Sequence, residues 1–156
     1  VNQSFKQLQS TNTINIYDEH NSKHLLIVNT AIYCGFTHQF TGLEALHQRY
    51  KQEGLRVVDL ASNDFRQAAK GEAEAASICD VNYGVTFTMM PPISVKGSDA
   101  HPLFKAIAAK PQEPSWNFNN FLVGADDHKI KHFALAPPQN RIKSMRLLKL
   151  YSRADL

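Results

Sequence analysis

Apolar and polar positions change their period several times along the chain, and each change marks a structural element. Ile14-Asn15-Ile16-Tyr17 alternates, which predicts a short strand at a sheet edge, and Asp18-Glu19-His20-Asn21-Ser22 predicts a turn. Residues 24–31, built on Leu25-Leu26-Ile27-Val28, are apolar on both faces, as expected of a central strand covered on both sides in a parallel sheet. Residues 37–52 set Leu43 and Leu46 against Gln48, Arg49 and Lys51, the pattern of an amphipathic helix, and Gly54 ends it as a C-cap. Leu55-Arg56-Val57-Val58-Asp59-Leu60-Ala61 is a second β-rich run, so the segment reads as a βαβ unit with a right-handed crossover.

Beyond it, residues 68–79 are rich in Ala and Glu and predict a helix with Cys79 near its end. Residues 86–90 and 93–95 read as extended, broken by Pro91-Pro92. A short helix is expected from His101 to about residue 109, after the turn at Gly97-Ser98 and before a loop bounded by Pro111 and Pro114. Residues 118–123 and 129–133 predict a hairpin across Asp126-Asp127, and a last helix follows over about 139–151. There is no internal repeat and no low-complexity linker. The order predicts an α/β chain with a thioredoxin-like fold, a central mixed β-sheet flanked by helices, and an N-terminal β extension. A flavodoxin-like sheet is the competitor, and it would want further βα units in place of the hairpin.

Composition narrows the class. The 156 residues suit a single domain, 1–156, and 43% hydrophobic with 20% charged residues is ordinary for a globular protein. The net charge of +3 is scattered, apart from a basic cluster over 141–149 that reads as a solvated helix face, so no nucleic-acid partner is expected. No apolar run nears the roughly 18 residues of a membrane span. The chain starts at Val1 with no Met and no signal peptide; a mature exported protein and a trimmed cytoplasmic one look alike here, with the cytoplasm slightly favoured. Seven histidines without ligand spacing, and two cysteines without CxxC, predict no metal and no cofactor. A redox pair is the better use of Cys34 and Cys79.

Cys34 sits where the first central strand hands over to a helix. Unpaired N–H groups and the positive end of the helix dipole favour a thiolate there, the environment of a reactive cysteine. The alternative is a small buried hydrophobe. Asn63-Asp64 ends the second strand and is expected to face the same crevice as Cys34.

Five ordered segments then carry a resemblance. Asn29-Thr30-Ala31-Ile32-Tyr33-Cys34-Gly35-Phe36-Thr37, Gln39-Phe40-Thr41-Gly42-Leu43-Glu44-Ala45-Leu46, Tyr83-Gly84-Val85-Thr86-Phe87, His101-Pro102-Leu103-Phe104 and Trp116-Asn117-Phe118 resemble the glutathione peroxidase family, across about residues 14–135. The resemblance implies a thiol peroxidase in which Cys34 reduces hydrogen peroxide or an organic hydroperoxide and becomes a sulfenic acid. It also implies Trp116 and Asn117 as donors to the departing oxygen. Where the family carries the glutamine of Pro-Cys-Asn-Gln-Phe, this chain reads Ala61-Ser62-Asn63-Asp64-Phe65, so Asp64 stands in place of a catalytic glutamine. Ionised aspartate only accepts hydrogen bonds, and beside Cys34 it would disfavour the thiolate. Three arrangements are open: a protonated Asp64 that donates, an Asp64 that points away with Asn63 or water filling in, or a slow or lost reaction. Arg66-Gln67-Ala68-Ala69-Lys70 replaces the family's Gly-rich continuation, and Thr88 a usual proline. Cys79 resembles the resolving cysteine of the thioredoxin-dependent branch, with a buried helix cysteine as the plain alternative. The implied reductant is thioredoxin or, less in keeping with two cysteines, glutathione. The short stretch between Leu103 and Trp116 has no room for the loop of tetrameric members, which implies a monomer or small dimer. A low-turnover redox sensor and a thiol–disulfide oxidoreductase are the rivals, the latter disfavoured by the missing CxxC.

Overall fold

The computed structural model describes residues 4–16, 18, 21, 23–108, 113–124 and 130–133. Their elements run β1 (Ser4–Lys6), β2 (Thr13–Asn15), β3 (His24–Thr30), α1 (Gln39–Tyr50), β4 (Leu55–Ala61), α2 (Glu72–Ser77), β5 (Thr88–Met90), α3 (Pro102–Ala108), β6 (Asn119–Val123) and β7 (Ile130–Phe133). Among the described residues the main sheet has five strands in the order β5-β4-β3-β6-β7. β3, β4 and β5 are parallel, whereas β6 is antiparallel to both β3 and β7. This is the mixed α/β sheet of a thioredoxin-like fold. A parallel β3–β4 pair needs a crossover, which α1 supplies.

Period-two alternation divides the core into two halves. Leu25, Ile27, Val58, Leu60, Phe121 and Val123 face one side, where they pack with Leu103, Phe104 and Ile107 of α3 and with Phe5 and Ile16. Leu26, Val28, Leu55, Val57 and Leu122 face the other, against Phe40, Leu43 and Tyr50 of α1 and against Cys34, Cys79, Phe87 and Phe118. With both faces covered, β3 and β4 must be apolar almost throughout, as their composition predicts. Each of the wholly buried Leu and Ile side chains contributes about 1.5–3 kcal/mol as an upper estimate.

Several boundaries differ from the expected ones. The expected edge strand over residues 14–17 is β2, and it pairs antiparallel with β1 in a separate two-stranded sheet. β1 has one apolar residue, Phe5, too little pattern to be read from sequence. The β1–β2 turn is tied to the main sheet where Leu8 N–H donates to Met89 O at 2.9 Å. Helix α1 starts at Gln39, and its last turn tightens to a 3₁₀ turn over Lys51–Glu53 that ends at Gly54. Gly54 has φ +90°, a conformation that glycine adopts without strain. The Ala-rich segment is helical only from Glu72, because Gly71 is its N-cap and Lys70 N–H is taken by Glu74 Oε2 at 2.7 Å. It then widens into a π turn over Ile78–Asn82 that contains Cys79. Of the expected strands over 86–90 and 93–95 only β5 forms; Pro91 and Pro92 end it, and Ile93 N–H reaches Ala61 O at 2.8 Å outside any strand. The expected helix over about 139–151 and the hairpin turn at Asp126-Asp127 lie outside the described residues.

Candidate active site

β3 delivers Cys34 into a chain of turns rather than directly into a helix. Thr37 N–H donates to Cys34 O at 3.1 Å and the Thr37 hydroxyl donates to the same carbonyl, so Cys34 opens a tight turn five residues before α1. Cys34 is 4% exposed, packed in the cluster that also holds Phe118 and Cys79.

The Trp116-Asn117 segment is fixed to the end of β3 by amide side chains. Asn29 Nδ2 donates to Trp116 O at 3.0 Å, Asn119 Nδ2 donates to the same oxygen at 2.9 Å, and Phe118 N–H donates to Asn29 O at 2.6 Å. Phe118 takes φ +62°, which turns the chain sharply into β6. Trp116 remains 39% exposed and its ring lies 5.1 Å from that of Phe65. Asn117 is fully buried: its Nδ2 donates to Gln67 Oε1 at 3.0 Å, while its Oδ1 has no partner among the described residues.

Asp64 does not face this pair. Its carboxylate accepts from Ser94 Oγ at 3.0 Å, from Val95 N at 2.6 Å and from Lys96 N at 3.2 Å. It clamps the segment after β5, acting as an acceptor only. Of the three arrangements, the structure therefore has Asp64 turned away. Asn63 does not fill the gap, because it is exposed and its Oδ1 accepts from Ala68 N at 3.3 Å. The amide beside Asn117 is that of Gln67, which the sequence pattern did not single out. A glutamine three residues past the expected place was the available signal.

Cys79 is a free thiol, 1% exposed, and burial together with the charge of Asp59 pushes it up to about 12. Asp59 is the second residue that sequence reading passed over, since it stands inside an apolar run. Asp59, two residues beyond Val57, and Thr30, two beyond Val28, share the sheet face that carries Cys79. The Thr30 hydroxyl donates to Asp59 Oδ1 at 2.6 Å, Oδ2 has no partner among the described residues, and burial pushes the carboxyl up to about 7. A cavity of about 210 Å³ opens beside it, lined by Thr30, Ala69, Ala75 and Met90 among others.

The glutathione peroxidase family model matches residues 3–108. A glutathione peroxidase of Lactococcus lactis is 40% identical over 122 residues, covering 74% of this chain and 78% of that one. A hydroperoxy fatty acid reductase of Synechocystis is 40% identical over 129 residues, covering 74% and 76%. Among solved structures, Trgpx in its apo form superposes with a TM-score of 0.72 at 27% identity, covering 97% of this chain and 94% of that one. A thiol:disulfide interchange protein of Chlorobium tepidum reaches the same TM-score at 12% identity, covering 97% and 93%, a likeness of fold alone. With its thioredoxin-like sheet and these matches, the chain belongs to the glutathione peroxidase family.

Proposed function

We propose that the protein is a two-cysteine thiol peroxidase with Cys34 as its nucleophile. The Cys34 thiolate attacks the terminal oxygen of a hydroperoxide and the O–O bond breaks. The alkoxide or hydroxide that leaves takes a proton, and Cys34 becomes a sulfenic acid. Cys79 then attacks that sulfur, forming a disulfide and releasing water, and a dithiol reductant of the thioredoxin kind restores both thiols. Family membership supports the peroxidase class, and the likeness to the Synechocystis hydroperoxy fatty acid reductase supports organic hydroperoxides as substrates. The observation that carries the reading is the tie from Asn29 to Trp116 O, which gathers an indole donor and the buried Asn117 at the strand end that leads to Cys34. Support for Cys79 as resolving partner comes from its place in the same apolar cluster and in a π turn, a helical irregularity common at functional sites.

The test is peroxide consumption by the reduced protein with thioredoxin and, separately, with glutathione. Cys34→Ser should abolish turnover, and Cys79→Ser should abolish turnover with thioredoxin while still forming one sulfenic acid per chain. A wild-type Cys34 that never oxidises would end the peroxidase reading.

One observation favours a second reading, a redox sensor of low turnover. Reactive cysteines are ordinarily part-exposed, whereas both thiols here are buried and Cys79 resists ionisation. Stoichiometric disulfide formation without sustained consumption would select it.

A further inference from the structure

We infer that Gln67 supplies the carboxamide that meets the hydroperoxide beside Cys34, and that it forms with Asn117 a paired donor and acceptor for the O–O–H group. This rests on the peroxidase reading and assigns a residue to it.

The loop that follows β4 is folded so as to separate two neighbours in sequence. Ser62 N–H continues the ladder to Thr30 O at 2.9 Å, and Asp64 N–H then donates to Ser62 Oγ at 3.1 Å. The carboxylate of Asp64 is drawn outward by Ser94, Val95 and Lys96. Phe65 is held between the Trp116 ring at 5.1 Å and Lys96 Nζ, 4.3 Å above its own ring. Arg66 N–H closes a turn onto Asn63 O at 2.8 Å, and Arg66 takes φ +58°. A non-glycine residue is uncommon in that region, and here it reverses the chain. Gln67 emerges on the inner side, where its carbonyl accepts from Tyr33 N–H at 2.9 Å, the residue next to Cys34. Its side chain meets Asn117 at 3.0 Å. Phe65 and Asp64 anchor the loop outside while Gln67 is placed inside.

The chemistry of the pair suits a hydroperoxide. With Asn117 Nδ2 donating to Gln67 Oε1, what is left over is an acceptor, Asn117 Oδ1, buried and without a partner among the described residues, and a donor, Gln67 Nε2. Turning both amides together leaves one acceptor and one donor again. A peroxide O–H needs an acceptor, and the oxygen that leaves needs a donor as its charge develops. A neutral amide does this without the negative charge that would disfavour the Cys34 thiolate.

The experiment isolates the oxidation step in full-length Cys79→Ser protein, by trapping the Cys34 sulfenic acid with dimedone at timed intervals after hydrogen peroxide or cumene hydroperoxide. Alkylation of Cys34 by iodoacetamide is measured in parallel, because that reaction needs the thiolate but no O–O cleavage. Gln67→Ala is expected to slow oxidation by about 100- to 1,000-fold, the range for a lost donor to a developing oxyanion, with alkylation changed less than about two-fold. Gln67→Glu should keep the fold, read by its melting curve, and slow both reactions. Equal slowing of both reactions in Gln67→Ala, or unchanged oxidation, overturns the assignment while leaving the peroxidase reading standing. If Cys34 of the parent protein is alkylated but never oxidised, the peroxidase reading falls and takes the assignment with it.

Discussion

Asp59→Asn should remove a pH-dependent destabilisation that sits in the core of the native protein. The ordinary value for this carboxyl is 3.8, and burial raises it to about 7 in the fold, with the Thr30 hydroxyl pulling weakly the other way. Between these values the folded chain keeps a proton that the unfolded chain has released. The unfolded state then binds fewer protons, so stability falls as pH rises through this window. The contribution is absent below about pH 4 and complete above about pH 7. About three pH units at about 1.4 kcal/mol each give a cost of about 4 kcal/mol. The assay is urea denaturation of reduced wild type and Asp59→Asn at half-unit steps from pH 4.5 to 8.5. The quantity to read is the difference between the two curves. His47, His101 and His132, all depressed by burial, make stability rise with pH near the same window, but they are common to both proteins and cancel. Asparagine also brings an N–H that lacks a partner beside the cavity, a constant offset that a protonated carboxyl shares. About two of those three pH units lie above pH 5, so the difference should widen by about 2–3 kcal/mol between pH 5 and pH 8. Two curves that stay parallel over that range would falsify the buried, high-pKa carboxyl.

The same carboxylate raises the Cys79 thiol, so Asp59→Asn should move the midpoint of the Cys79 alkylation rate to lower pH, measured in a Cys34→Ser background; an unchanged midpoint would leave burial as the whole cause. Because Cys79 is held at about 12 against an ordinary 9.0, wild type should lose stability as pH rises beyond about 9, where only the unfolded thiol ionises, and a Cys79→Ala chain should lose less. Asp64→Ala removes three hydrogen bonds that pin residues 94–96 and should cost about 2 kcal/mol in a melting or denaturant curve; Asp64→Gln should likewise bring no gain in peroxide turnover, and a large gain would mean that residue 64 does reach the thiol. Arg66→Gly relieves the positive φ and should leave stability unchanged or raise it by up to about 1 kcal/mol, with oxidation of Cys34 retained; a marked loss would show that the Arg66 side chain holds the loop.

Local pattern made much of this protein readable without coordinates. Two-faced apolar runs at β3 and β4 need cover on both sides, and a helix-period segment between them has one economical place to go. The order of the motifs around Cys34, Trp116 and Asn117 was likewise a property of the linear chain. The β1–β2 ribbon was not legible, because three-residue strands carry too few positions for a period and are fixed by tertiary hydrogen bonds such as Leu8 to Met89. The start of α1 was misplaced because helix propensity does not say how many turns precede the first helical bond.

The site divides in the same way. The sequence by itself determined that a nucleophilic residue type, an indole and an amide occur at the ends of strands in the family's order. It also determined that an acidic residue replaces a neutral amide at position 64. Only the tertiary structure decided what that replacement means, because hydrogen-bond direction depends on groups far away in the chain. Residues 94–96, about thirty positions on, take the Asp64 carboxylate, and the left-handed turn at Arg66 brings Gln67 to Asn117, fifty positions on. The same holds for Asp59: its residue type is in the sequence, but its perturbed proton affinity comes from the layers of side chains that exclude water around it. Composition and period specify which faces are buried; the partners that a buried polar group finds are specified by the fold.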